Sequence, residues 1–154
     1  MHLFEENIKN LGLNIPDLPK ALANYVPYKI VGKAMYISGQ APVQNGELIY
    51  KGKVGSDITT EEGIEAAKLC VINIIAAVKT GLEGDWDKLD SFVKLTGYVN
   101  CQNNFTDQPK IINGASDMLV NIFGDQGRHT RVAVGSNALP LGIAVEIDAI
   151  VQLK

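Results

Sequence analysis

The segment Thr59–Gly81, TTEEGIEAAKLCVINIIAAVKTG, limits the fold more than any other stretch of this 154-residue chain. Thr59 and Glu62 make a T-x-x-E box, in which each side chain satisfies a backbone N–H that the first helical turn leaves open. Apolar residues then recur at Ile64, Ala67, Cys70, Val71, Ile74, Ile75 and Val78. That is the helical period, with one broad apolar side. Thr80-Gly81 predicts the helix end. An apolar side this wide has to be buried, and strand-like segments lie before and after it, so the helix is expected to pack on a sheet.

The strand signals are read by alternation and turn chemistry. Tyr28–Val31 and Ala34–Ser38 flank Gly32-Lys33, which predicts a hairpin. Leu48–Lys51 reads as a further strand after the turn Asn45-Gly46. Leu89–Val99 is rich in β-branched and aromatic residues and reads as a long strand. Pro109–Phe123 predicts a second helix with Ile111, Ile112, Ala115, Met118, Leu119 and Ile122 turned inward, broken by Gly124–Gly127. Two last strands are expected at Val132–Ser136 and Ala144–Leu153, with the chain turning at Leu139–Gly142. Ahead of all this, Phe4, Ile8 and Leu11 predict a short helix ending near Gly12, followed by a polar connection with Pro16 and Pro19.

This order predicts one α+β domain over residues 1–154. It has a mixed β-sheet of about six strands, with two main helices on one face. In the last strand Val145, Ile147, Ala149, Val151 and Leu153 point one way, and Glu146, Asp148, Ile150 and Gln152 the other. The sheet face without helices still carries apolar residues, and a second copy of the chain is its simplest cover.

Charge and composition narrow the function. The net charge is −3, and the twelve lysines are scattered without a run, so no nucleic-acid partner is expected. The acidic, amphipathic start MHLFEENIKN is unlike a signal peptide, and the longest apolar stretch, Leu69–Val78, is too short to span a bilayer. A cytoplasmic protein without a membrane partner is expected. Cys70 and Cys101 lack the spacing and the histidine company of a metal site, so both are read as packed, reduced thiols, with no metal. No G-x-S-x-G, Walker or Rossmann pattern occurs.

The candidate chemistry lies near the C-terminus. Arginine is scarce: Arg128 and Arg131 are the only two. Arg131 heads a strand whose same-face neighbours, Ala133 and Gly135, are small enough to leave room for a ligand. A guanidinium grips a carboxylate through two parallel hydrogen bonds. On residue chemistry alone, Arg131 is either such an anchor or a surface arginine beside a turn. Glu146 interrupts an apolar strand and is either a general base that activates water or a solvated carboxylate. If Leu139–Gly142 closes a hairpin, Glu146 falls opposite residues 134–135, about 13 Å along the strand from Arg131 at ~3.3 Å per residue. A small molecule would then fit between them. Gly39, after Ser38, allows close backbone approach to a ligand, and Tyr25 and Tyr28 lie just upstream. Asn113 is a polar position early in the second helix. His129 is expected to be solvent-exposed.

Taken together, these residues resemble the RidA/YjgF family of reactive intermediate deaminases. Arg131, Leu139-Pro140 and Glu146 stand as R-x7-LP-x5-E, like the family's C-terminal signature. Tyr36–Pro42, YISGQAP, is similar to its strand ending in SGQ, and Asn103-Asn104-Phe105 with Asn113 fits its central region. The resemblance runs from about Leu22 to Lys154 and leaves residues 1–21 as an N-terminal extension with a short helix. It implies a chorismate-mutase-like subunit in a homotrimer with clefts between neighbours. It also implies hydrolysis of 2-imino or enamine acids to 2-oxo acids and ammonia, without a cofactor. Arg131 would bind the carboxylate of a small metabolite, and Glu146 would position the water. Tyr25, Ser38, Gly39, Ala133 and Asn113 would line the cleft, the first three from the adjacent subunit. The chain departs from the pattern in three places. Asn24-Tyr25-Val26 replaces a Pro-Tyr pair, Ala133 stands where many members have cysteine, and the stretch from Phe105 to Asn113 is a few residues longer. These mark a divergent branch; binding of small carboxylates without turnover is the alternative function.

Overall fold

The computed structural model describes residues 1–18 and 23–154. Pro19 and the end of the expected extension at residue 21 lie outside the described residues. The first helix, α1, spans Leu3–Asn10. Next come β1 (Tyr28–Val31) and β2 (Ala34–Gln40), the expected hairpin, then β3 (Val43–Gln44) and β4 (Glu47–Leu48). Helix α2 runs Thr60–Gly81, β5 Leu89–Asn100, α3 Gln108–Phe123, β6 Thr130–Ser136 and β7 Val145–Leu153.

Helix α2 starts where its sequence demands. Thr59 accepts from the Glu62 N–H, and Glu62 reaches back to the Thr59 N–H at 2.8 Å. Its apolar stripe, including Ala67, Cys70, Val71, Ile74 and Val78, is buried. Helix α3 begins with Pro109 in its first turn, where a missing N–H costs nothing. A Cβ on Gly114 would stand 2.7 Å from the Ile64 carbonyl oxygen, so this glycine lets the backbones of α2 and α3 approach closely.

The main sheet has five strands in the order β1-β2-β7-β5-β6, and β3 and β4 form a separate ribbon. Only β5 and β6 are parallel, joined through α3; the other neighbours are antiparallel. Helices α2 and α3 cover one face, over the fully buried Val145, Ile147 and Val151 of β7 and Leu95 of β5. On the other face lie Tyr36, Val132 and Val134, each 41–50% exposed, together with Glu146 and Asp148.

Two expectations are corrected. The strand foreseen at Leu48–Lys51 stops at Leu48, because Tyr50 and Gly52 both adopt positive φ (59° and 111°), which breaks an extended run. And β6 and β7 are not a hairpin, since β5 lies between them. The connection after Ser136 arches over the end of β5, where the Asn100 N–H donates to the Ala144 carbonyl. It turns at Pro140–Gly142, and the Ala144 N–H donates to the Tyr50 carbonyl. A connection of that length has room to pass one strand, so the Leu-Pro turn ends β6 without setting its neighbour.

Candidate active site

Arg131 lies on the edge strand β6, level with Leu95 of β5. Leu95 is fully buried under the helices, so Arg131 is on the helix-covered side of the sheet. Its side chain reaches the flank of α3. Nη1 donates to Asn113 Oδ1 at 2.7 Å and to Ser116 Oγ at 3.3 Å. Behind them, Ser116 Oγ and His129 Nε2 are 2.9 Å apart, and His129 Nδ1 is 2.6 Å from the Gly127 carbonyl. A carbonyl only accepts, so Nδ1 carries the proton and Nε2 accepts from the Ser116 hydroxyl. Burial lowers the His129 pKa, opposed by the Gly127 carbonyl, and the Arg131 charge lowers it further. A neutral imidazole therefore backs the serine that backs the arginine.

Among the described residues, Arg131 has no carboxylate partner, whereas Arg128 pairs with Asp125 at 3.1 Å. Among the described residues only Nη1 is hydrogen-bonded, so the Nε–Nη2 edge of the fork has no partner there. That edge presents two parallel donors in the spacing of a carboxylate. Ala133 and Gly135 follow Arg131 on the same side of β6, level with Gly97 and Val99.

Glu146 sits on the other face. It pairs across β7–β5 with Tyr98, which is level with Val134 of β6. Strand β2 carries one extra residue between Ile37 and Gln40, opposite Ala149 and Ile147. At this bulge a Cβ on Gly39 would overlap Glu146 Oε1 and stand 3.0 Å from Cδ, so glycine is what gives the glutamate its place. Burial, and then the nearby Asp148 carboxylate, raise the Glu146 pKa. Ser38 ties the bulge to the segment before β1: Oγ donates to the Val26 carbonyl at 2.6 Å, and its N–H to the Pro27 carbonyl at 2.9 Å. Tyr25, next to Val26, is 53% exposed.

The predicted residues thus gather in two groups. Arg131, Asn113 and Ala133 share the α3 side of one edge. Glu146, Gly39, Ser38 and the segment bearing Tyr25 share the β2–β7 side on the uncovered face. The convergence of Arg131 and Glu146 through a shared hairpin does not occur within one chain, because β5 separates their strands and the pleat turns them to opposite faces. The sequence reading missed Ser116 and placed His129 in solvent, whereas the ring is half-buried with both nitrogens bonded. The signal for Ser116 was its i+3 spacing from Asn113 on one helix flank.

The cysteines are both buried, and burial pushes the Cys70 thiol far up, with the Glu146 charge adding to it. Among the described residues no cluster of His, Cys, Asp or Glu could hold a metal ion, and no helix is long and apolar enough to cross a membrane. Two recesses flank α3. The larger, about 560 Å³, runs between α2 and α3 with Asn113 on its rim. A smaller one of about 210 Å³ lies at the far end of the Arg131–Ala133–Gly135 row.

Residues 5–152 match the family described as "YjgF/chorismate_mutase-like, putative endoribonuclease". The chain is 38% identical over 149 residues to Protein TCP17 of Trypanosoma cruzi, covering 96% of this chain and 92% of that one. Its fold matches the crystal structure of the protein Atu1372 from Agrobacterium tumefaciens with a TM-score of 0.93 and 41% identity, over 99% of this chain and 93% of that one. A crystal structure titled "putative endoribonuclease" from Shewanella oneidensis matches with a TM-score of 0.94 and 35% identity, over 99% and 100% of the two chains. With a family match over nearly its whole length and a signature of Arg131, Leu139-Pro140 and Glu146, the chain belongs to the RidA/YjgF family.

Proposed function

We propose that the protein hydrolyses reactive 2-imino or enamine acids to 2-oxo acids and ammonia, at clefts between the subunits of a homotrimer. The observation that carries this reading is the open edge of the Arg131 fork, held from behind by Asn113 and Ser116. It is a pre-set carboxylate anchor on a sheet edge, and Glu146 stands on the opposite face. A second copy laid against the uncovered face brings one subunit's Glu146, Gly39, Ser38 and Tyr25 to another's Arg131, Asn113 and Ala133. The apolar residues on that face, Tyr36, Val132 and Val134, favour such packing.

The chemistry needs little beyond position and charge, because an imine is already electrophilic. Arg131 fixes the substrate carboxylate. Glu146 takes a proton from water as the water oxygen bonds to the imine carbon and the C=N electron pair moves to nitrogen. Glu146 returns that proton to nitrogen, giving a carbinolamine. It then takes the hydroxyl proton and passes it to nitrogen, so that the C–N bond breaks with its pair and ammonia leaves as the C=O bond forms. A carboxylate whose pKa is raised by burial is a better proton acceptor than an ordinary one. No cofactor enters this scheme.

The test is ammonia release from imines generated in place by an amino-acid oxidase. Wild type accelerates release and Arg131→Ala abolishes the acceleration; no acceleration with any of several imino acids overturns the reading. The second reading is binding of small carboxylates without turnover. The separation of Arg131 from Glu146 within one chain favours it wherever no second copy abuts. Titration with 2-oxobutyrate, unchanged in Glu146→Gln and without wild-type turnover, would establish it. RNA cleavage, which the family description raises, is disfavoured by the net charge of −3 and the scattered lysines.

A further inference from the structure

The recess of about 210 Å³ beyond Gly135 has the composition of a selectivity pocket. It is lined by the carboxamide residues Gln102, Asn103, Gln108 and Asn137, with Ser136, Phe105 and Cys101. Gln108 is fixed in place: Nε2 donates to the Phe105 carbonyl at 2.7 Å and leans on Cys101 Sγ at 3.7 Å. Gly135 makes the space, since a Cβ there would stand 2.9 Å from Gln108 Nε2 and 3.1 Å from Cys101 Sγ. Among the described residues no charged side chain lines the recess. The Lys53 ammonium sits at its border, bonded to Asn100 Oδ1 and the Asn137 carbonyl.

The recess is in line with the anchor. Gly135, which lines the recess, stands four residues beyond Arg131 on the same side of β6, about 13 Å at ~3.3 Å per residue. A carboxylate held by Arg131 can send its side chain along this row, over Ala133 toward Gly135. A five- or six-carbon acid covers that span when hydrogen bonds of about 2.9 Å at both ends, to the guanidinium and to the recess, add to its length. An apolar end would strip water from carboxamides without replacing its hydrogen bonds, a cationic end would find no counter-ion, and an anionic end would find Lys53 already bonded to Asn100 Oδ1 and the Asn137 carbonyl.

We propose that this recess is the side-chain subsite of the Arg131 site and selects 2-imino acids ending in a neutral hydrogen-bonding group, such as a carboxamide. The inference rests on Arg131 as carboxylate anchor, but not on turnover. It is tested with imines made from L-glutamine, L-2-aminobutyrate and L-leucine by an L-amino-acid oxidase, comparing kcat/KM on the wild-type protein. The glutamine-derived imine is preferred over the leucine-derived one by about tenfold or more, and Gln108→Leu lowers that ratio about tenfold. Asn137→Ala, if Gln108→Leu does not fold, lowers it in the same direction. Equal or better use of the leucine-derived imine, or a ratio unmoved by the folded variants, overturns the proposal. A binding arm separates it from the catalytic reading: titration with the N,N-dimethylamide of 2-oxoglutarate, which cannot close on its own keto group, against 2-oxo-4-methylpentanoate. Tighter amide binding that weakens in Gln108→Leu, with no turnover of any imine, sustains the subsite and ends the deaminase reading. Equal binding of the two acids ends the subsite.

Discussion

Asn113 Oδ1 accepts a 2.7 Å hydrogen bond from Arg131 Nη1 and so fixes which edge of the guanidinium faces outward. The arginine is at the end of a strand and the asparagine on a helix flank, so the anchor is set by two elements of one rigid layer. A hydrogen bond to a charged group contributes about 1.5–3 kcal/mol, and the exposure of Asn113 places it at the low end. Asn113→Ala is expected to weaken 2-oxobutyrate binding about tenfold, measured by titration calorimetry. Arg131→Lys, which keeps the charge but not the fork, is expected to lose more than Asn113→Ala.

Gly39 and Glu146 make a second such pair. The Gly39 backbone is not in the left-handed region, so alanine there is not strained in itself. The cost falls on Glu146, whose Cδ and Cγ would lie 3.0 and 3.2 Å from the new Cβ. Gly39→Ala is expected to swing the carboxylate off the bulge. The deamination kcat should fall at least tenfold while the melting temperature moves by only a few degrees. A variant that melts far lower, with kcat intact in the folded fraction, contradicts this.

The pH dependence follows from burial. Glu146 and Asp148 both have raised pKa values, chiefly through desolvation. The acid limb of kcat/KM is therefore expected above the ordinary carboxylate value of 4.5, and Asp148→Asn moves it down by removing a like charge. The neutral His129 adds no inflection near 6.5, because its pKa is lowered from there. For stability the sign is opposite to that of a salt-bridged carboxylate. The folded state holds these protons more tightly, so the stabilisation is fully present below the unfolded-state pKa and lost as pH rises through the folded one. Glu146→Gln is expected to melt higher than wild type at pH 7, with the gain vanishing below about pH 4. Differential scanning calorimetry across that range measures it.

The helices were legible because their signals are local. The Thr59–Glu62 box and the apolar period of α2 both lie within one turn or a few. The face shared by Arg131, Ala133 and Gly135 followed from the pleat alone. The neighbour of β7 was not legible, since a connection that turns at Pro140 and Gly142 suits a tight hairpin and an arch over β5 equally. The pairing is decided by α3, which delivers β6 beside β5 in parallel and leaves the central slot to β7. Ser116 and His129 were missed for a related reason. Their role exists only once α3 is docked beside β6: the i+3 spacing of Ser116 from Asn113 marks a shared helix flank but not the strand that the flank meets.

Helix α1, which from Glu5 onward falls within the family match, is built into the core. Phe4 and Ile8 are buried, and the Phe4 ring centroid is 4.8 Å from that of Phe123 and 6.0 Å from that of Trp86. Asn7 Nδ2 donates to the Ile122 carbonyl at 2.8 Å, at the end of α3. Glu5 pairs with Lys79 at 2.9 Å, a contact that lowers its pKa and ties α1 to the end of α2. The helix therefore clamps the C-terminal ends of the two long helices. Phe4→Ala removes a ring from this cluster and is expected to cost about 3 kcal/mol, the low end for a core Phe-to-Ala change. That corresponds to a melting temperature lower by roughly 6–12 °C in a domain of this size. Leu3→Ala, at a position 61% exposed on the same helix, is expected to change stability by less than about 0.5 kcal/mol. Denaturant unfolding followed by the fluorescence of Trp86 distinguishes the two. Equal effects would mean that α1 is tethered by its helical ends and not by the aromatic cluster.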